Sequence, residues 1–303
     1  MTKLGIMIEG QEGLSWERWR NICLDVEALG FDSLRRSEHL ISLMHDDSRD
    51  CIDCWTSLAL AAEWTTKIQF GPMVSPLTFH HAAMLARRAA SVDLLSNGRL
   101  ILGVGAGWNE YEHLKFGIPF GTVGSRMDLF EQGVSRIRDT WATSNPKPPR
   151  KGSVPLLMGG VGEKRALPLV AREAAEWNYT RMDKEEYAKK RAVIDQACKE
   201  IGRDPSSIRY SVMTSFIIGR DRDELRRRAL ELAVVVPRWR RDTADEVLQA
   251  ARTSMFVGTP EEIVEQVRDY ARLGVELFML QHFLLDDRDA LELLSKEVMP
   301  ALA

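Results

Sequence analysis

Ser37-Glu38-His39 is the most chemically capable stretch of the chain. An imidazole exchanges a proton near neutral pH, and a neighbouring carboxylate can tune it or accept a hydrogen bond from a bound group. A structural histidine beside a surface ion pair is the plain alternative. Gly159-Gly160-Val161-Gly162-Glu163 precedes a helical stretch. Glycines there let N–H groups approach a phosphate, and the helix dipole favours the anion. A tight turn with no ligand gives the same pattern. Gly103-Val104-Gly105-Ala106-Gly107 is GxGxG and lacks the Lys-Ser/Thr of a P-loop. Alone it says only that something approaches this backbone closely. Trp108, in the same loop, is placed to wall a planar ligand. His80 and His81 read as packing and capping residues. Cys51-Ile52-Asp53-Cys54 has CxxC spacing, with His45, Asp46, Asp47 and Asp50 nearby. Without a second CxxC it reads as the lead into a helix rather than a zinc or redox site, so no metal is expected.

These residues need elements to hold them, and the chain alternates strand-like and helix-like segments. Strands are expected at Leu4–Ile8, Phe31–Arg36, Ile68–Val74, Arg99–Val104, Pro155–Met158, Glu176–Tyr179, Ile208–Ile218 and Val275–Gln281. Ser15 can cap the first helix, whose apolar face would be Trp16, Trp19, Ile22, Val26 and Leu29; Gly30 would end it. Later helices are expected at Asp53–Trp64, His81–Leu95, Ser125–Trp141, Lys164–Glu173, Lys184–Ile201, Asp221–Ala251, Pro260–Leu273 and Asp289–Met299. Leu100-Ile101-Leu102 and Leu277-Phe278-Met279-Leu280 are apolar without alternation, as in parallel strands buried on both faces. Eight βα units are what a (β/α)8 barrel needs, and chemistry then sits at the C-terminal ends of the strands. A doubly wound sheet would carry GxGxxG after its first strand; here that position reads Glu9-Gly10-Gln11.

With 303 residues, a prior of about 150 per domain suggests two domains. Eight units of about 30 residues account for about 240 in one. The expectation is therefore one α/β domain over residues 1–303, a TIM barrel with insertions in its βα loops. The excess falls chiefly in Ser144–Ser153 and Asp221–Thr253, where substrate choice is expected to lie. Lys and Arg number 41 against 44 Asp and Glu, a net charge of −3 that argues against a nucleic-acid partner. No apolar run reaches the ~18 residues of a membrane helix. The N-terminal apolar run stops at Glu9, so no secretory signal is expected. Four cysteines fit a reducing cytoplasm.

Taken in order, these motifs resemble the bacterial luciferase-like (β/α)8 proteins. The resemblance rests on Leu29–Leu34 with Ser37-Glu38-His39-Leu40, and on Pro76–His81 with Ala86 and Asp93–Arg99. It continues through Gly103–Trp108 with Glu112 and Phe116-Gly117, then Pro155–Gly160, and ends at Val257–Glu262. The pattern is most similar to the branch that uses the deazaflavin coenzyme F-420. The resemblance implies an oxidoreductase passing hydride between that cofactor and a small organic substrate. It implies His39 as the proton donor or acceptor and Glu38 at the deazaflavin ring. A non-proline cis peptide at Met73-Val74 would buttress the ring, and Ser75 would contact the cofactor side chain. Trp108 and Tyr111 fall at cofactor positions, and Gly159, Gly160, Gly162 and Glu163 match the phosphate turn. An FMN-dependent monooxygenase and a non-catalytic flavin-binding protein share the fold; retention of both Glu38 and His39 speaks against the latter. Apolar helix faces and family habit imply a homodimer.

The chain departs from the family in three places. Trp108 replaces the catalytic Glu of relatives that oxidise a sugar phosphate, and Asn178-Tyr179-Thr180-Arg181 offers only one base, so that substrate is not expected. Arg35 stands where many relatives have Trp. The segment between Trp141 and Pro155 is shorter than in many relatives, where it helps cover the mouth. A more open site, or one completed by a partner subunit, is the expectation.

Overall fold

The computed structural model describes residues 2–45, 48–150, 152–180 and 182–302. Its strands are β1 Lys3–Ile8, β2 Ser33–Arg36, β3 Gln69–Pro72, β4 Ser75–Pro76, β5 Leu102–Gly105, β6 Leu156–Met158, β7 Glu176–Tyr179, β8 Arg209–Ile218, β9 Met255–Gly258 and β10 Leu277–Gln281. All pair in parallel, in the order β3-β2-β1-β10-β8-β7-β6-β5-β4, with β9 joined to the far half of β8. A Phe70–Leu100 bridge, with Ile101 N–H donating to Phe70 O at 2.8 Å, draws β3 to the start of β5 and brings the two ends of the sheet together. The sheet is thereby the expected barrel, with helices between its strands.

The helices are α1 Trp16–Ala28, α2 Cys54–Trp64, α3 Ala82–Leu95, α4 Glu110–Lys115, α5 Val123–Thr143, α6 Ala166–Glu173, α7 Lys184–Glu200, α8 Arg222–Val235, α9 Ala244–Ala251, α10 Pro260–Ala271 and α11 Arg288–Leu293. α1 shows why local sequence sufficed for most of them. The Ser15 hydroxyl accepts from Arg18 N–H, and Trp19, Ile22, Cys23 and Val26 bury one face. Trp16 is the exception: it stands largely in solvent rather than in the core.

Alternation along each strand sends one set of side chains between barrel and helices and the other into the barrel. Met7, Met73, Ile101, Leu157, Leu277 and Met279 form the inner cluster. β2 shows the division sharply. Arg36 points outward, donating to Ser57 Oγ at 2.7 Å and Ile52 O at 3.0 Å, and so fastens the start of α2. Arg35 is fully buried and faces Glu176, with Nη2 3.7 Å from Oε2. Burial lowers the Arg35 guanidinium to about 10, against the opposing pull of Glu176. The Trp-to-Arg departure thus comes with a carboxylate directly across the barrel.

Four expectations are corrected. The stretch Asp221–Ala251 is two helices, because Pro237 lacks an N–H and cannot continue α8; a 3₁₀ turn follows, and Thr243 with Glu246 caps α9 anew. Met255–Gly258, left without a strand in the sequence reading, is β9, since only its partner β8 reveals it. Glu110–Lys115 is a short helix that a loop-like, glycine-flanked sequence concealed. Ser144–Ser153 joins α5 to β6, so it lies at the N-terminal ends of the strands and not over the mouth. Its Arg150 pairs with Asp93 at 2.6 Å and also donates to Leu100 O, at the base of β5.

Candidate active site

The β2–α2 loop leaves the barrel mouth through Ser37, Glu38 and His39. His39 Nδ1 lies 2.8 Å from Glu112 Oε2, and Leu40 N–H donates to Glu112 Oε1 at 2.6 Å. Glu112 comes from α4, which Asn109 caps by accepting from the Tyr111 and Glu112 N–H groups. One carboxylate therefore holds both the ring and the backbone of the next residue. Because a carboxylate only accepts, Nδ1 carries the proton and Nε2 is left for the cavity. Burial pulls the imidazole pKa down, but the hydrogen bond and charge of Glu112, with the charges of Glu9 and Glu12, outweigh it and raise it above its ordinary value. Trp108 presents its indole edge-on to the ring, centroids 5.7 Å apart, and Cys51 Sγ donates to His39 O at 3.3 Å.

Glu38 is engaged by His80, whose Nε2 lies 2.9 and 3.0 Å from its two oxygens. The peptide between Met73 and Val74 is cis, at the bond the resemblance singled out. The glycines of β5 explain how this bend packs. A Cβ on Gly103 would lie 2.1 Å from Pro72 O, and one on Gly105 would lie 2.7 Å from Val74 Cγ2. The close neighbour that GxGxG demanded is thus the end of β3.

Gly159 and Gly160 follow β6, with Gly160 O accepting from Trp177 Nε1 at 3.0 Å. A Cβ on Gly159 would meet nothing nearer than Asn178 O at 3.8 Å, so the missing side chain leaves open space.

These groups surround one cavity of about 450 Å3. Glu38, His39, Met73, Val74, Trp108, Gly159 and Gly160 line it, together with Met7, Met213, Leu43 and Met44. Four expected residues lie elsewhere. Ser75 is buried with Oγ accepting from Trp55 Nε1 at 3.2 Å. Tyr111 is exposed on α4. Gly162 is exposed, its carbonyl accepting from Leu167 N–H, and Glu163 pairs with Lys190 at 2.8 Å. No Lys or Arg is among the described residues that line the cavity; Arg181 lies outside the described residues. So do Asp46 and Asp47, and Cys54 begins α2, with Asp53 capping that helix.

The sequence reading missed Glu9, Gln11 and Asn178 on the cavity wall and left Glu112 without a role. Glu112 had one signal: Asn109 three residues before it reads as a helix cap, which would set its side chain on a helix under the mouth.

A family model of luciferase-like monooxygenases matches residues 2–277. The chain belongs to the luciferase-like monooxygenase family. Within it, the chain is 29% identical over 158 residues to an uncharacterized protein of Mycobacterium tuberculosis, covering 47% of this chain and 55% of that one. It thus spans about half the length of the curated relatives it matches there. It is 26% identical to the phthiodiolone/phenolphthiodiolone dimycocerosates ketoreductase of Mycobacterium kansasii, over 75% of this chain and 76% of that one. Solved structures show the same fold. Monooxygenase RslO1 from Streptomyces bottropensis superposes with a TM-score of 0.81 at 21% identity, over the whole of both chains. An F-420-dependent secondary alcohol dehydrogenase, in complex with an F-420–acetone adduct, superposes at 0.80 and 18%, again over the whole of both. Among the solved structures with this fold are both F-420-dependent and FMN-containing enzymes, and no helix among the described residues is long and apolar enough to cross a membrane.

Proposed function

We propose that this luciferase-like protein is an oxidoreductase that passes hydride between the deazaflavin coenzyme F-420 and a small organic substrate. The observation that carries the reading is the His39–Glu112 pair at the cavity. Hydride delivered to a carbonyl carbon leaves an oxygen that needs a proton, and the reverse reaction must remove one. An imidazole with its tautomer locked and its pKa raised can do both from Nε2.

The cavity fits a flavin-shaped group. Its volume falls within the range of about 300–1,000 Å3 typical of ligand sites. Met73 and Val74 offer an apolar wall for a ring, Trp108 an exposed indole, and the open glycines Gly159 and Gly160 a cradle for phosphate. A bound deazaflavin supplies two-electron chemistry that is insensitive to oxygen. Glu38, oriented by His80, accepts hydrogen bonds at the ring's edge. His39 holds or releases the proton, and Leu43 and Met44 of the β2–α2 loop keep water from it. Ser75, Tyr111, Gly162 and Glu163 would serve the cofactor only from outside this cavity.

We take the 303 residues as one domain working in a reducing cytoplasm, which the four free cysteines support. The acting unit is proposed to be a homodimer, on the exposed Met84, Leu94 and Leu95 of α3.

Fluorescence titration with coenzyme F-420 and with FMN tests the cofactor. Tight F-420 binding is expected; tight binding of FMN alone would overturn this reading in favour of an oxygen-using monooxygenase. His39→Ala should abolish turnover while keeping cofactor affinity, and unchanged turnover would remove the acid/base assignment.

A further inference from the structure

The cavity wall farthest from the glycine turn is built from hydrogen-bond acceptors. β1 lies across the barrel from β6, with β10, β8 and β7 between them on one side and β2, β3 and β5 on the other. Glu9, the first residue after β1, therefore faces Gly159 and Gly160 across the mouth. Gln281 Nε2 donates to Glu9 Oε1 at 2.6 Å, and Gln11 Nε2 donates to Oε2 at 3.0 Å. The glutamine carbonyls are occupied in turn, by Ser215 Oγ at 3.0 Å and Ser37 Oγ at 2.6 Å. Each amide is thereby fixed with its NH2 toward Glu9. A carboxylate has about four acceptor sites, and two remain. No Lys, Arg or His among the described residues pairs with Glu9.

Asn178 supplies an acceptor on the other side of the cavity, on β7 beside the glycine turn, where its backbone O is the atom nearest a Cβ on Gly159. It is 2% exposed and lines the same cavity. Ser211 Oγ spends its one proton on Glu176 Oε1 at 2.8 Å, so the Asn178 atom 2.9 Å away must be the donor Nδ2. The Asn178 carbonyl oxygen is left to the cavity with no partner among the described residues. Arg35 holds the far end of this chain through Glu176.

Glu9 is half-buried, and a carboxylate with open acceptor sites and no counter-charge in the wall favours a donor from the ligand. We propose that Glu9 recognises the substrate, and that the substrate carries hydroxyl or ammonium donors and no carboxylate or phosphate at this end. The inference rests on the proposed function, which gives the glycine-turn side to the cofactor.

Three probes share a 2-hydroxypropyl frame: 1-amino-2-propanol, 1,2-propanediol and lactate. Their affinities for the cofactor-loaded protein would be measured by calorimetry, with cofactor titration of the variant alongside. The amine and the diol should bind at least about 10-fold more tightly than lactate, a size typical of one charge-assisted hydrogen bond. Glu9→Gln should erase the advantage of the amine with unchanged cofactor affinity. Lactate binding as well as the amine, no binding by any probe, or an unchanged ranking in Glu9→Gln overturns the inference. A wild-type protein that binds neither deazaflavin nor flavin would instead overturn the oxidoreductase reading, so the two failures are distinct.

Discussion

His39 and Glu112 are 73 residues apart and form one hydrogen-bonded pair. Because the imidazole pKa is raised in the fold, the stability it contributes is fully present below about pH 6.5, the unfolded value, and is lost as pH rises through the folded value. Glu112→Gln should therefore lower the His39 pKa in an NMR titration, because only the weaker pull of Glu9 and Glu12 then opposes burial. The acid limb of the pH–rate profile should move with it, and turnover should drop by about 10²-fold or more. His282 behaves in the opposite sense. Burial lowers it to about 4, and its ring stacks on Phe216 with centroids 5.7 Å apart. Stability should decline as pH falls from about 6.5 toward 4, because the unfolded chain takes up the proton first. His282→Phe should flatten that acid-side loss in a pH series of thermal melts. His39 itself was legible in the sequence, since an imidazole at a strand end is a recognisable pattern. Its partner was not, because nothing local says that α4 folds back beneath the β2–α2 loop.

Elements meet at distances that a single methyl would upset. Gly103 stands where the end of β3 crosses close to β5, and its added Cβ would be 2.1 Å from Pro72 O. Gly103→Ala should destabilise the protein by about 1–3 kcal/mol, the usual cost of overpacking, and should weaken cofactor binding by shifting Met73 and Val74. Gly30→Ala offers the contrast. A Cβ there meets nothing within 4 Å, but the residue has φ +79°, so only the smaller cost of a left-handed backbone is expected. Chemical denaturation of the two variants, with cofactor titration, separates the cases. At this scale the sequence named most elements and misjudged their joints. Periodicity reported the helices; Pro237 and the pairing of β9 with β8 decided where the long one broke and what followed it.

Across the whole molecule the two ends of the barrel divide the labour. At the base, Arg150 neutralises Asp93, whose side chain is fully buried. Arg150→Ala leaves that carboxylate alone and should cost about 3–5 kcal/mol of stability while leaving the KM for substrate unchanged. A change in substrate preference would instead place Ser144–Ser153 at the mouth. That segment was expected to bear on substrate choice because length alone marks an insertion without saying which end of the barrel it joins. By itself, the sequence determined the βα alternation, and with it the barrel, because each helix cap and apolar run is a local preference that eight units repeat in step. It also placed His39, Glu38 and the two glycine turns at strand ends, where a barrel gathers them. Tertiary structure alone decided which acceptors and donors face one another: Glu112 on His39, His80 on Glu38, Gln281 on Glu9, and Glu176 opposite Arg35. Those pairings depend on how strands 40 to 270 residues apart close into a ring. Hydrogen bonds and charges act across that ring through space, which no local pattern in the chain encodes.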